Sequence, residues 1–134
     1  MALRKGYKQL VDEANARIRT LSVDEARAKL GEEGVLFVDV RDVREADAEG
    51  MIPDAYAAPR GMLEFWVDPE SPYARKPLIE ARELVLYCAM SWRSALAAAT
   101  LQDMGLDNVT HIDGGFAAWK EAGAPVVPRP QKKP

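Results

Sequence analysis

The feature that most constrains this chain is a repeated switch between short, continuously apolar segments and segments of helical period. Val35-Leu-Phe-Val-Asp-Val40 and Glu83-Leu-Val-Leu-Tyr87 lack the alternation of a half-exposed strand. Runs of this kind are buried on both faces, as inside a parallel sheet covered by helices. Asn108-Val-Thr-His-Ile112 reads as a further strand. Ser22-Val-Asp-Glu25 has the spacing of a capping box, which predicts a helix from about Val23 to Leu30, ended by Gly31 and Gly34. Ser94 to Met104 places Ala97, Leu101 and Met104 on one face before Gly105, and Gly115 to Ala122 reads as a closing helix. Tyr7 to Ile18 sets Tyr7, Leu10, Val11, Ala14 and Ile18 on one side of an amphipathic helix lying against the domain. Strands alternating with helices predict a three-layer α/β domain, with a mostly parallel central sheet of about five strands flanked by helices.

Composition narrows the class. The chain has 134 residues, 48% hydrophobic and 29% charged, as expected of one globular domain. At this length folding buries roughly two-thirds of the unfolded surface, so neither disulfide nor metal is needed for stability. One cysteine, Cys88, and one histidine, His111, supply no ligand cluster for zinc or iron–sulfur, and no cofactor is expected. A net charge of −3 argues against nucleic-acid binding. The N-terminal segment has no apolar run of a signal peptide and no stretch reaches the length of a membrane span, so the cytoplasm is the expected compartment, where a thiol stays reduced. We read residues 1–17 as an N-terminal helical extension, 18–127 as the domain and 128–134 as a flexible tail, its basic stretch Arg129 to Lys133 solvated. Met51 to Pro77 holds five prolines and no clear period, which predicts a long connection with short helical turns, anchored to the core by Phe65 and Trp66.

Cys88 lies between the second apolar run and the helix from Ser94, at the carboxyl end of a strand, where ligands bind in open α/β sheets. The connecting segment is Cys88-Ala-Met-Ser-Trp-Arg93. If it curls around the thiol, its backbone N–H groups converge as an anion cradle and Arg93 adds a full charge, both favouring thiolate over thiol. Taken alone, the position is equally that of a small hydrophobe buried at a strand end.

The wider context resembles the rhodanese family. Cys88-x-x-x-x-Arg93 followed by Ser94, Asp39-Val-Arg41 at a strand end, Gly50-Met-Ile-Pro53 with Ala55 and Pro59, and Gly114-Gly-Phe-Ala-Ala-Trp119 occur in that family's order over about residues 18 to 123. The resemblance implies a rhodanese-like fold and a sulfurtransferase of the thiosulfate type. In it, Cys88 would carry sulfane sulfur as a persulfide, with Ala89, Met90, Ser91, Trp92, Arg93 and Ser94 around the substrate. Asp39 and Arg41 would tie strand and loop ends together. Acceptors implied are cyanide or a cellular thiol such as glutathione, thioredoxin or a sulfur-carrier protein. Gly114 and Gly115 permit a tight turn, Trp119 buries its ring with the indole N–H as a polar handle, and His111 reads as a packed strand residue rather than an acid–base catalyst.

Some positions depart from the pattern. Ala89 stands where many active members are basic, and Ser91 where glycine is common; Met51 and Asp54 replace a histidine and a glycine of the second motif. Serine adopts a left-handed backbone less readily than glycine, and a neutral residue 89 attracts a thiosulfate dianion less strongly. A second reading is therefore a non-catalytic or redox-sensing module of the same fold. A cysteine-based phosphatase or arsenate reductase is a third, but these place one more residue between cysteine and arginine than the four found here.

Overall fold

In a computed structural model, residues 2–130 are described. The elements in chain order are α1 (Tyr7–Arg17), β1 (Arg19–Leu21), α2 (Val23–Ala28), β2 (Val35–Asp39), α3 (Val43–Glu49), β3 (Tyr56–Ala57), a 3₁₀ turn at Arg60–Met62, α4 (Leu63–Val67), α5 (Lys76–Glu80), β4 (Glu83–Tyr87), α6 (Trp92–Asp103), β5 (Val109–Ile112) and α7 (Gly115–Glu121). The sheet order is β1-β5-β4-β2-β3, and every strand pairing is parallel. The α/β class and helix-flanked parallel sheet are those expected from the alternating runs. β4 is central because all five of its residues are buried, which only a strand covered on both faces can achieve.

Two apolar clusters fill the two faces. One gathers Val11, Ala14, Leu63, Leu78, Leu86, Ala97 and Leu101, beneath α1, α4, α5 and α6. The other gathers Phe37, Ile52, Tyr87, Ile112, Phe116 and Trp119, beneath α2 and α7. Trp119 is fully buried and its Nε1 donates to the Pro125 carbonyl at 2.7 Å. α2 begins with the expected capping box and stops two residues before Leu30.

Several expectations are corrected. Tyr7 and Leu10 are 61% and 43% exposed, so α1 uses the narrower stripe Val11, Ala14 and Ile18 against the domain. Met104 caps α6 rather than continuing its buried face, and is 44% exposed. Phe65 points to solvent, whereas Trp66 anchors the connection edge-to-face on Tyr56 with Arg75 across its ring. Separately from these corrections, Met51 bridges Val127, and Arg129 donates to Asp47 at 3.0 Å. The rest of the basic tail, residues 131–134, lies outside the described residues. Among the described residues no helix is long and apolar enough to cross a membrane.

Candidate active site

β2, β4 and β5 deliver Asp39, Cys88 and the turn after Ile112 to one edge of the sheet. The chain leaves β4 at Tyr87, passes Cys88-Ala-Met-Ser91 and enters α6 at Trp92. Ser91 makes that short path possible by adopting φ +84°, ψ −6°, a left-handed conformation that L side chains resist at a cost of about 1 kcal/mol or more. Its side chain makes no capping hydrogen bond. Ser91 therefore does carry the glycine-type backbone expected of its position.

The loop is braced from below by α7. Phe116 N–H donates to the Cys88 carbonyl at 2.8 Å and Ala117 N–H to the Ala89 carbonyl at 3.1 Å. So close an approach requires Gly115: at its φ of +61° a Cβ would stand 2.6 Å from the Cys88 oxygen and 2.8 Å from that of Ala89. The double glycine is thus a brace for the loop as well as a turn.

Within the loop, Cys88 is 1% exposed. Its Sγ accepts from the Ser94 backbone N–H at 3.4 Å, the first turn of α6, and lies 3.7 Å from Ser94 Oγ. Ala89 and Ser91 are half-buried, while Met90 and Trp92 are 67% and 54% exposed. The Trp92 ring rests against Tyr7 of α1, centroids 5.0 Å apart. A cavity of about 580 Å³ opens beside Ala89 and Met90, walled by Phe116, Lys120, Glu49 and Glu121.

Arg93 does not stand as a free charge beside the sulfur. Its Nη1 and Nη2 donate to Oε1 and Oε2 of Glu45 at 2.6 and 2.9 Å. This fork lowers the Glu45 carboxyl below its ordinary range and raises the guanidinium, which also feels Cys88. Glu45 is the residue that sequence reasoning missed. The signal existed: Asp42-Val-Arg-Glu45 repeats the capping-box spacing read at Ser22, and both reciprocal bonds form at the start of α3. Its reach to Arg93, 48 residues away, had no sequence signal.

Asp39 and Arg41 form a closed network next to the loop. Arg41 donates from its backbone N and Nε to Asp39 Oδ1 at 3.0 and 2.9 Å, and from Nη2 to Oδ2 at 2.8 Å and to the Gly50 carbonyl at 2.7 Å. Tyr87 Oη donates to Asp39 Oδ2 at 3.0 Å, and Phe116 stacks on the guanidinium at 4.2 Å. Burial, and then the neighbouring carboxylate, push the Tyr87 hydroxyl up, so it stays protonated. His111 is also buried, and burial holds its pKa down at about 4, so the ring is neutral at pH 7. Among the described residues no group of three metal-ligating side chains is found.

The family model for the rhodanese-like domain matches residues 22–122. A sulfurtransferase of Allochromatium vinosum is 36% identical over 95 residues, covering 71% of this chain and 80% of the relative. An uncharacterised Synechocystis protein is 38% identical over 96 residues, 72% of this chain, but the match spans only 49% of that longer protein. Among solved structures, a Rhodopseudomonas palustris protein of unknown function, described as a possible tyrosine phosphatase, superposes with a TM-score of 0.90 at 50% identity over 95% of this chain and 98% of that one.

Proposed function

The chain belongs to the rhodanese-like domain family, and from that premise we propose that it is a sulfurtransferase working through a persulfide on Cys88. The observation that carries this reading is the placement of the Cys88 sulfur where the Ser94 N–H, in the first turn of α6 and next in sequence to Arg93, donates to it at 3.4 Å. An anionic sulfur is stabilised there by a backbone donor and a nearby guanidinium. The Allochromatium relative, a sulfurtransferase by name, supports the same chemistry.

In the first half-reaction the Cys88 thiolate attacks the outer sulfur of thiosulfate or a related sulfane donor. The donor's S–S bond breaks, its electron pair leaves with sulfite or thiolate, and a new S–S bond forms on Cys88. In the second, an acceptor nucleophile such as cyanide, glutathione, thioredoxin or a sulfur-carrier protein attacks the outer sulfur and releases the Cys88 thiolate. In this reading Ser94 holds the reacting sulfur, and Ala89, Met90, Ser91 and Trp92 form the loop past which the donor approaches. With Glu45 on Arg93, and Glu49 and Glu121 against the cation Lys120 at the adjoining cavity, anionic donors meet a less positive mouth than a free arginine would offer. We therefore favour donors of lower charge than the thiosulfate dianion, in a reducing compartment such as the cytoplasm.

Intact-mass measurement after incubation with sulfane donors tests the proposal. The parent should gain one sulfur atom, lost again on adding cyanide, and Cys88→Ser should gain none. No gain with thiosulfate, a glutathione persulfide or polysulfide would remove the proposal. Aryl-phosphate hydrolysis in the same preparation would instead favour a phosphatase.

A further inference from the structure

On the buried side of Cys88 a line of hydrogen-bonding groups runs across β5 to the edge of the sheet. Cys88 Sγ is 3.7 Å from Ser94 Oγ, Ser94 Oγ is 3.0 Å from His111 Nδ1, and His111 Nε2 is 3.0 Å from Thr20 Oγ1. Ser94 and His111 are 0% and 1% exposed, whereas Thr20, paired in register with His111, lies exposed on the edge strand β1. Cys88, Ser94 and His111 lie within residues 22–122 of the family match, and Thr20 lies outside them. Every member can both donate and accept, and a neutral imidazole carries its single proton on one nitrogen or the other. The Ser94 hydroxyl proton has three acceptors within reach: the Ser91 carbonyl at 3.2 Å, His111 Nδ1 and the sulfur.

We propose that Ser94, His111 and Thr20 form a relay that couples the charge of Cys88 to the tautomer of His111. With the thiol protonated, S–H donates to Ser94 Oγ, Ser94 O–H to Nδ1, and Nε2–H to Thr20. Deprotonation moves each proton one place outward: from sulfur to Ser94, from Ser94 to Nδ1, from Nε2 to Thr20, and from Thr20 to water. One proton leaves, and only the sulfur ends charged. Ser94 then donates to the thiolate while Nδ1–H holds Ser94 in place, so the arrangement left by deprotonation is the one that stabilises the anion. His111 is thus a positioning residue acting through Ser94. Burial keeps the ring neutral, which this exchange requires. The charged groups around the pair are Asp113 beyond β5, Arg93 with Glu45 at the loop, and Asp39 with Arg41 at the end of β2.

The inference rests on Cys88 as the nucleophile, but its test needs no sulfur donor, so it fails separately from sulfur transfer. His111 is the only histidine, and ¹⁵N-histidine labelling of the full chain reports its ring alone. On raising the pH, the protonated nitrogen should change from Nε2 to Nδ1 in step with thiolate absorbance, and should not change in Cys88→Ala. One tautomer throughout the parent's titration would overturn the relay. Alkylation by iodoacetamide at neutral pH gives a second readout. His111→Leu should slow it about tenfold, the scale of a hydrogen bond to a charged group, while His111→Asn, with an amide nitrogen where Nδ1 stands, should recover most of the rate. Thr20→Val, on an exposed edge, should slow it by a smaller factor with the fold unchanged, and parent rates in all three variants would equally overturn the proposal.

Discussion

Two arginine–carboxylate forks stand at the same edge of the sheet, and they differ in what surrounds them. Arg41 and Asp39 have side chains 0% and 2% exposed and are enclosed by Tyr87, Phe116 and the Gly50 carbonyl. Arg93 and Glu45 are 40% and 29% exposed, with solvent on one side and the loop on the other. A buried fork cannot exchange partners without stranding a charge, so it fixes the strand end. A half-exposed fork is screened and can trade its carboxylate for an incoming anion. One closed side and one open side therefore serve the same cysteine.

Breaking the closed fork should have the largest effect. Asp39→Ala leaves the buried Arg41 with only the half-exposed Glu49 carboxylate, 3.8 Å from Nη1, and should lower unfolding free energy by about 3 kcal/mol, read by urea denaturation. A loss under 1 kcal/mol would mean that the two forks are equivalent.

Acidification sharpens the contrast without a mutation. Burial holds the His111 pKa down at about 4, below the ordinary 6.5, so the unfolded chain binds the proton first. Stability should fall as pH drops from about 6.5 toward 4, by about 3 kcal/mol in total, from a buried imidazole that belongs to neither fork. Glu45, its folded pKa lowered chiefly by Arg93, contributes stability that persists until pH falls through that lowered value, so the open side weakens later. Urea titrations from pH 7 to about 2 check this order; a flat response above pH 5 would contradict it.

Smaller effects belong to the loop. Ser91→Gly removes the cost of the left-handed serine and should raise stability by about 1 kcal/mol, measured by thermal unfolding. Glu45→Gln should change stability by no more than about 1 kcal/mol, yet speed sulfur loading from thiosulfate severalfold by freeing Arg93. Equal rates in parent and variant would show that Glu45 does not compete with the donor.

The fold was legible in large part because burial on both faces leaves a direct trace, the unbroken apolar runs at Val35 and Glu83. β1 and β3 left no such trace, being three and two residues long and placed at the sheet edges. α3 carried a legible capping box that went unread among the charges of residues 41–49. At the site, Cys88, Arg93 and the double glycine could be picked out from spacing and from the resemblance to a family.

What the sequence determined by itself was local: the period of each segment, the caps that start helices, and a cysteine at the junction of a strand and a helix. These follow from interactions between residues a few positions apart. The partners of the reactive groups were decided only by tertiary structure. Glu45 reaches Arg93 because β2 and β4 are neighbours, and Thr20 reaches His111 because β1 pairs with β5. Strand order sets those meetings, and no local spacing records it.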